Sequence, residues 1–481
     1  MMAASIQKII NPSNSEIIAE IPLAQSKDLE LVLTQARQAF DQGPWLKLPL
    51  KERKELILNI SRGILDKAGE LANLETLNTG KPIKESTFMD IPSSAKVFEY
   101  FANNLERLLE SETVQLENAQ SRLVREPRGV VLLIVPWNYP LLIASWKMSQ
   151  ALAAGNVVIL KPSSLTPLTA LELGKIACGA GLPVGVANVV NASGDSVGET
   201  LCSDKRVDMI SFTGSNIVGK EILGYASKNV KKLTLELGGK SASIILKDAD
   251  LEVAVNSALC SIFLNQGQMC TAMSRIFIED DIYDKFVIEF VKKTKQIKLG
   301  PGLDYETQMG PLISESQRKK VLGYVEKAKK EGARLLCGGK IPGSPELKKG
   351  FFFEPAVLAE VKPVMSVFQE EVFGPVAIVN KFSSPDEVID LANNSDFGLA
   401  ASIWTKDACK ANEMAGKINA GIVWVNTYGM FYPEAPYGGF KQSGFGKELG
   451  REGFLEYARL KNIFVDKTPD SKPLVNFWYG F

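Results

Sequence analysis

One cysteine stands in a polar, glycine-containing segment where a nucleophile could meet a substrate. Cys270 belongs to the segment 266–271 (QGQMCT), which follows an apolar helical stretch. A thiolate in such a turn can attack a carbonyl carbon. A free cysteine is also a common small buried hydrophobe, so both interpretations of Cys270 stay open. The other five cysteines lie in no comparable segment.

Two further polar side chains have the chemistry that a cysteine-based reaction on a carbonyl needs. Glu236 lies in an apolar run at the end of a predicted strand, where burial would raise its pKa and make it a general base. Asn138 lies between Pro136 and Pro140, directly after another apolar strand, and its amide N–H can donate to a developing oxyanion. A glutamate that faces water and an ordinary turn asparagine are the alternatives.

Two segments have the chemistry of a phosphate or ribose site. The segment 212–219 (FTGSNIVG) predicts a turn from a strand into a helix, where free amides and the helix dipole favour an anion such as a pyrophosphate. Its glycine spacing is neither the common dinucleotide fingerprint nor a P-loop, so a plain turn is the alternative. Lys161 ends another predicted strand and can bind a ribose hydroxyl or a phosphate, or be simply solvated.

The histidine count is zero, which excludes every mechanism that needs an imidazole. A general base must therefore be a carboxylate, a lysine, a tyrosine or a polarised water. The six cysteines show no CxxC spacing, and we expect no metal site. Basic and acidic residues balance at 55 each, so no positive field favours nucleic acid as a partner.

No segment predicts export or a membrane span. The N-terminus lacks a basic start followed by an apolar stretch, and the apolar run at 129–137 is far shorter than the roughly 20 residues of a spanning helix. We therefore expect a cytoplasmic protein with no membrane partner. Its 481 residues suffice for two or three domains.

The elements that must hold these residues alternate along the chain. Apolar spacing predicts two amphipathic helices within 26–62 and a helical region over 66–109. Between 130 and 212, four predicted strands alternate with helices, at 130–135, 155–160, 187–191 and 207–212. This order predicts a doubly wound parallel sheet with a nucleotide-type site outside the carboxyl ends of its strands. A second α/β segment is predicted from 237 to 429, so the fold class is α/β.

Together these residues form a pattern that resembles the aldehyde dehydrogenase superfamily over essentially the whole chain. The resemblance extends from 10–12 (INP) to 443–448 (SGFGKE), and 34 residues separate Glu236 from Cys270, much as in the family. It implies an aldehyde dehydrogenase-like fold. The implied domains are a Rossmann-type parallel-sheet NAD(P)-binding domain (1–107 and 127–237), an α/β catalytic domain (238–442) and a small β oligomerisation element (108–126 and 455–470). A homodimer or homotetramer is implied as well.

The same resemblance implies catalytic roles. Cys270 would be the nucleophile on the aldehyde, while Asn138 and the Cys270 backbone N–H would hold the oxyanion of the thiohemiacetal. After hydride leaves for the nicotinamide, Glu236 would activate the water that hydrolyses the thioester to a carboxylic acid. Lys147 and Glu448 match a pair that is proposed to pass protons to bulk solvent.

NAD or NADP is the cofactor that the resemblance implies. Members that prefer NAD usually have a glutamate after Lys-Pro-x, where this chain has Ser164. Because that carboxylate is absent, no negative charge at this position repels the 2′-phosphate of NADP, and Lys161 lies nearby to pair with the phosphate. Glu371 and Phe373 would position the nicotinamide ribose and ring. The implied cofactor contacts are Val135, Pro136, Trp137, Lys161, Ser163, Ser164, Gly194, Phe212, Thr213, Gly214, Ser215, Val218, Leu237, Glu371 and Phe373.

Two classes of aldehyde substrate remain open. Tyr139, Trp146 and Tyr437 occupy positions where betaine-aldehyde and aminoaldehyde dehydrogenases carry aromatic residues, and such rings can hold a quaternary ammonium by cation–π attraction. Leu264 occupies a position of the substrate pocket that is often aromatic in those enzymes. A neutral aliphatic or aromatic aldehyde is therefore the alternative substrate.

Two other functions fit parts of the pattern. A CoA-acylating semialdehyde dehydrogenase would pass the thioester to CoA and normally lacks the glutamate base, so Glu236 argues against it. A catalytically silent binding protein would not need Cys270, Glu236 and Asn138 together. The prediction is therefore hydrolytic, NAD(P)-dependent oxidation of a small-molecule aldehyde.

Overall fold

The computed structural model describes residues 6–468 and 478–480 of the chain. A hairpin of Ile6–Ile10 and Ile17–Pro22 comes first. The helices Ser26–Asp41 and Leu50–Asp66 follow, with the short 3₁₀ turn Trp45–Lys47 between them. Each long helix buries one apolar stripe, which confirms the two amphipathic helices that the spacing predicts.

The helical region predicted over 66–109 is divided into several pieces. The first break follows Thr79, because Gly80 adopts a left-handed φ of 81° and Pro82 favours an extended residue before it. A π-helical turn interrupts the next stretch, and its Asp90 is fully buried. The pieces are Ala68–Thr79, Ile83–Glu85, Ser86–Asp90, Ile91–Asn103 and Leu105–Leu109.

A six-stranded sheet forms the first α/β unit. Its strand order from edge to edge is Gly444–Phe445, Lys232–Glu236, Met209–Thr213, Val130–Ile134, Val157–Lys161 and Ala187–Val189. All neighbours are parallel except the short edge strand, which runs antiparallel. The central strands are buried along their whole length, as expected for a sheet covered by helices on both faces. Those helices include Pro140–Ala153, Leu168–Gly179, Gly194–Thr200 and Asn216–Ser227.

The strand order reverses at Val130–Ile134, and the candidate site lies at this point. The next strand in sequence, Val157–Lys161, pairs on one side, and Met209–Thr213 pairs on the other. Ligands of such sheets bind in the crevice that this reversal opens at the carboxyl ends of the strands. Asn138, Lys161 and Glu236 all follow or end strands of this sheet.

A seven-stranded sheet forms the second α/β unit. From edge to edge it contains Arg334–Cys337, Ala356–Ala359, Val376–Phe382, Arg275–Glu279, Ala242–Ile245, Ala400–Trp404 and Ile422–Val425. Only the first of these runs antiparallel to its neighbour. The helices of this unit include Leu251–Phe263, Asp280–Gln296, Glu315–Glu331, Ser366–Gln369, Pro385–Asn393 and Ala408–Lys417. The α/β prediction for 237–429 is therefore confirmed.

A three-stranded antiparallel sheet joins two distant parts of the chain. The strand Ala119–Pro127 pairs with Glu112–Gln115 and with Ala458–Asp466, which follows the helix Gly450–Glu456. Apart from Pro127, these strands fall within the segments predicted for the oligomerisation element, 108–126 and 455–470, of which residues 469–470 lie outside the described part of the chain. Among the described residues, no helix is long and apolar enough to span a membrane.

Candidate active site

A strained turn connects the helix Leu251–Phe263 to Cys270. Three consecutive residues of this turn have left-handed φ angles, 46° at Asn265, 58° at Gln266 and 70° at Gly267. A side chain at Gly267 would collide with the Gly374 carbonyl, so close packing and backbone conformation both require glycine there. Non-glycine residues in this region cost about 1–3 kcal/mol each, which the surrounding contacts must offset.

Buried hydrogen bonds hold this turn against Asn138. The Asn138 amide donates to the Gln268 carbonyl at 2.8 Å, and the Asn265 amide donates to the Asn138 carbonyl at 3.1 Å. The Glu85 carboxylate accepts the backbone N–H of Asn265 at 3.1 Å. Burial raises the pKa of Glu85 to about 8, and this hydrogen bond opposes the shift. Asn138 therefore lies beside the cysteine turn, and sequence reasoning missed its supports Asn265, Gln268 and Glu85.

The Cys270 sulfur faces a tyrosine hydroxyl. The distance from Cys270 Sγ to Tyr437 Oη is 3.0 Å. Burial raises the pKa of the Cys270 thiol to about 12, and the hydrogen bond with Tyr437 opposes that shift. The sequence suggested only that the Tyr437 ring lines a pocket, because a contact between residues so far apart in the chain has no local signal.

Glu236 ends its strand as a buried carboxylate. It is only 3% exposed, and neither carboxylate oxygen accepts a hydrogen bond of good geometry from the described residues. Burial, and then the negative charge of Glu448, raise its pKa well above the ordinary value. Three residues after Glu236, Gly239 lies so close to the Cys270 carbonyl that a side chain would collide with it. The glutamate and cysteine motifs are thus packed together.

Lys147 and Glu448 form a buried ion pair near Glu236. Their Nζ and Oε1 atoms are 2.5 Å apart, and their side chains are 0% and 2% exposed. Ser211 accepts a hydrogen bond from Lys147 at 2.7 Å, and the Gln150 amide donates to the other Glu448 oxygen at 2.8 Å. Because the pair is desolvated, it needs these extra hydrogen bonds. The sequence indicated the two charges but not the polar residues that support them.

The predicted phosphate turn is the start of the 12-residue helix Asn216–Ser227. Ser215 caps this helix by accepting the Val218 N–H at 3.4 Å. A side chain at Gly219 would lie 2.7 Å from Leu237, so glycine lets the helix pack closely on the neighbouring strand end. The open helix start therefore faces the crevice at the carboxyl ends of the sheet.

The other predicted cofactor residues line the same strand ends. Lys161 is only 8% exposed, and burial lowers its pKa, yet its Nζ forms no ion pair with a described carboxylate. Ser164 is partly exposed. A buried lysine without a carboxylate partner among the described residues, on the same edge of the sheet as the helix start at Ser215, fits a phosphate or ribose group. Val135, Pro136, Trp137, Ser163, Phe212, Thr213 and Gly214 follow or end neighbouring strands, and Gly194 begins the helix after Ala187–Val189.

Glu371 and Phe373 reach this crevice from the second unit. Glu371 Oε1 accepts the Gly239 N–H at 2.9 Å, and burial raises the pKa of Glu371 to about 7. The Phe373 ring meets the Trp137 ring edge-on, with 5.1 Å between centroids. These contacts join the two units at the point where the cysteine motif meets the predicted cofactor crevice.

An aromatic cavity of about 360 Å³ opens beside Cys270. The Tyr437 ring lies 5.3 Å from the Trp146 ring and 5.7 Å from the Phe431 ring. Tyr139 also lines the cavity, and Lys81 Nζ lies 3.9 Å from its ring centroid. Lys81 is paired with buried Asp90 at 2.6 Å, so one face of the Tyr139 ring already contacts a cation of the protein.

Leu264 is not among the described residues that line this cavity. The reason is local, since Leu264 caps the end of the helix Leu251–Phe263 and begins the strained turn. It packs instead against the hydrophobic core. The sequence did not indicate Phe431, although its aromatic neighbours in 428–432 were a possible signal.

Comparisons with known proteins agree with this geometry. The Aldehyde dehydrogenase family model matches residues 2–463. The chain is 47% identical to betaine aldehyde dehydrogenase from Bacillus subtilis (strain 168), over 96% of this chain and 95% of that protein. It is 41% identical to mitochondrial aldehyde dehydrogenase from Homo sapiens, over 96% and 88% of the two chains. The structure matches betaine aldehyde dehydrogenase from Staphylococcus aureus in complex with NAD+, with a TM-score of 0.95, 41% identity and coverage of 99% and 94%. The predicted fold is confirmed.

Proposed function

The chain belongs to the aldehyde dehydrogenase family and oxidises aldehydes with NAD or NADP, and we propose that Cys270 is its nucleophile. The observation that carries this proposal is the position of Cys270. Its sulfur borders the aromatic cavity, and its carbonyl packs against Gly239 in the loop that follows Glu236. A nucleophile, a carboxylate base and a substrate-sized cavity therefore meet at one point.

The first half-reaction forms a thioester on Cys270. The thiolate attacks the aldehyde carbon, and the carbonyl electrons move to the oxygen to form a thiohemiacetal oxyanion. One N–H of the Asn138 amide is held by Gln268, which leaves the second N–H, with the Cys270 backbone N–H, to stabilise that oxyanion. Collapse of the oxyanion expels hydride and leaves the thioester. Oxidised NAD(P), when bound, supplies the hydride acceptor.

The second half-reaction hydrolyses the thioester. Glu236 removes a proton from water, the resulting hydroxide adds to the thioester carbon, and the Cys270 thiolate leaves as the carboxylic acid forms. Because Glu236 is buried, its proton needs a route out. We assign that route to the ion pair of Lys147 and Glu448, whose charges already affect the Glu236 carboxylate.

We propose that the cofactor binds in the crevice at the point where the strand order of the six-stranded sheet reverses. The open helix start at Ser215 and the buried Lys161 would hold phosphate and ribose groups. Glu371 and Phe373 would hold the nicotinamide ribose and ring near Cys270. No described carboxylate forms an ion pair with Lys161, and the partly exposed Ser164 beside it is uncharged, which supports use of NADP as well as NAD.

Replacing Ser164 with glutamate is expected to reduce the use of NADP. A carboxylate there would repel the 2′-phosphate but could accept hydrogen bonds from the ribose of NAD. We expect the ratio of kcat/KM for NADP to that for NAD to fall by about tenfold or more. Ser164→Gln is the matched uncharged control and should keep the ratio nearly unchanged. An unchanged ratio in Ser164→Glu would mean that Ser164 does not adjoin the 2′ position.

We propose that the physiological substrate is a small aldehyde with a quaternary ammonium group. Three rings, Trp146, Phe431 and Tyr437, line the cavity and pack against one another at centroid distances of 5.3 to 5.9 Å. Such faces attract a cation that has no N–H to donate. The Bacillus subtilis relative is named betaine aldehyde dehydrogenase, which supports the same class. A neutral aldehyde remains the second candidate because one face of Tyr139 already contacts Lys81.

Two substrates of the same shape can distinguish an enzyme for cationic aldehydes from one for neutral aldehydes. Betaine aldehyde and 3,3-dimethylbutanal have nearly the same shape and differ in the charge of the bulky group. If the rings recognise the cation, kcat/KM for betaine aldehyde should exceed that for the neutral isostere by about tenfold or more. A value equal to or below that of the isostere would make the cavity an apolar tunnel for neutral aldehydes.

The functions of the domains and the oligomeric assembly are also proposals. We propose that 1–107 with 127–237 binds the cofactor, that 238–442 is the catalytic domain, and that 108–126 with 455–470 mediates oligomerisation. The strand Ala458–Asp466 presents exposed Leu460, Phe464 and Val465, and such an apolar edge favours pairing with another copy of the chain. This supports a homodimer or homotetramer. Sedimentation velocity can measure the mass of the assembly.

A further inference from the structure

Tyr437 contacts the reacting sulfur itself and not only the cavity. Its hydroxyl lies 3.0 Å from Cys270 Sγ, and this is the one hydrogen bond of that hydroxyl among the described residues. Tyr437 is 7% exposed, so water has little access to replace the contact. A phenylalanine would line the cavity equally well, which leaves the hydroxyl without a role in packing.

The direction of this hydrogen bond depends on the charge of the sulfur. In the neutral thiol either atom can donate, but a thiolate has no hydrogen and can only accept. Once Cys270 ionises, the Tyr437 O–H must therefore be the donor. Hydrogen bonds to ionised groups are about twice as strong as neutral ones, so the contact favours the thiolate over the thiol.

The surroundings of the sulfur make this donor important. The carboxylates Glu236 and Glu371 both act against ionisation of the thiol, as does burial. Tyr139 and Tyr428 are the other titratable side chains that interact with it. Neither of them has a described hydrogen bond to the sulfur, since the Tyr428 hydroxyl lies 3.5 Å from Thr271 Oγ1 instead. Tyr437 is thus the described side chain whose hydroxyl shares a hydrogen bond with the Cys270 sulfur.

The Tyr437 hydroxyl is held in place before any substrate arrives. Trp146 and Phe431 pack edge-on against its ring. Its backbone is fixed as well, because Tyr437 and Glu448 exchange N–H···O bonds of 2.7 and 2.8 Å. A donor that is already oriented costs no reorganisation when the charge forms.

We propose that the Tyr437 hydroxyl is a catalytic hydrogen-bond donor that stabilises the Cys270 thiolate, in addition to the role of its ring in the cavity. This inference rests on the proposed function of Cys270 as the nucleophile. It places the donor on the substrate side of the sulfur, whereas Asn138 serves the oxygen of the aldehyde.

The test compares Tyr437→Phe with the wild-type chain by alkylation with iodoacetamide across a range of pH. The rate of alkylation is proportional to the fraction of the cysteine that is ionised. Peptide mass spectrometry measures this rate at Cys270 and at the exposed Cys178 in the same sample. Without the hydroxyl, the pH midpoint for Cys270 should rise by about one unit, which makes labelling about tenfold slower near neutral pH. The rate at Cys178 should stay the same.

Tyr428→Phe is the matched control, because it removes a neighbouring tyrosine hydroxyl that does not contact the sulfur. It should leave the Cys270 midpoint unchanged. An unchanged midpoint in Tyr437→Phe would overturn the inference without affecting the role of Cys270. A failure of the proposed function would be seen in a different experiment. In that case the Cys270→Ala variant would still oxidise the aldehyde, whether or not the Tyr437→Phe variant changes the alkylation of Cys270.

Discussion

Replacing Cys270 with alanine is expected to lower aldehyde oxidation by at least about 10³-fold, or about 4 kcal/mol in the barrier. The sulfur forms the covalent bond of both half-reactions, and Cys270 is the one cysteine among the described residues that line the cavity. Cofactor affinity should change by less than about twofold, because the proposed phosphate and ribose contacts lie on other elements. Formation of reduced cofactor and fluorescence titration with NAD or NADP measure the two quantities.

Cys260→Ala is the matched control for this variant. Cys260 is exposed on the helix Leu251–Phe263, which leads into the turn before Cys270. The control should retain wild-type activity if only Cys270 is the nucleophile. Turnover of Cys270→Ala above about one hundredth of the wild-type rate would exclude the covalent mechanism proposed above.

Glu236→Gln should separate the two half-reactions. The proposed base acts only on water, so the variant should still release one equivalent of reduced cofactor per active site in a fast burst. The steady state should then be at least about 10²-fold slower than that of the wild-type chain, which is the usual contribution of a general base. Rapid mixing of the enzyme with cofactor and aldehyde measures both phases.

The pH dependence of the steady state provides a second test of Glu236. Burial, and then the charge of Glu448, raise the pKa of Glu236 well above its ordinary value, so the carboxyl stays protonated to a higher pH than an exposed glutamate does. Only the ionised form can accept a proton from water, and kcat should therefore increase as pH rises through this pKa. Glu236→Gln should lose that increase, whereas exposed Glu252→Gln should keep it. A normal steady-state rate in Glu236→Gln would mean that another base suffices.

Local patterns predicted the strands and the residues at their ends. The continuous apolar run at 130–135 and the predicted strand at 207–212 correspond to strands Val130–Ile134 and Met209–Thr213 in the structure. Glu236 is buried at the end of its strand, as the apolar run around it suggested. These predictions succeeded because a buried parallel strand needs apolar residues on both faces, which one short segment displays by itself.

Contacts between distant segments could not be predicted in the same way. Glu85 holds the backbone of Asn265, although 180 residues separate them. Lys81 lies against the ring of Tyr139, and the Tyr437 hydroxyl reaches Cys270. Each of these contacts depends on how helices and loops of the two α/β units pack together.

The sequence by itself determined the α/β class, the absence of histidine chemistry, and the cysteine, glutamate and asparagine that could process a carbonyl. Composition and local hydrophobic periodicity are sufficient for those conclusions. Only the tertiary structure decided that Leu264 lies outside the cavity lining and that the Tyr437 hydroxyl lies within hydrogen-bond distance of the Cys270 sulfur. The degree to which burial desolvates Glu236 was likewise decided by the tertiary structure alone. Burial and hydrogen bonding are properties of the packed surroundings, and those surroundings are assembled from residues that no single stretch of sequence contains.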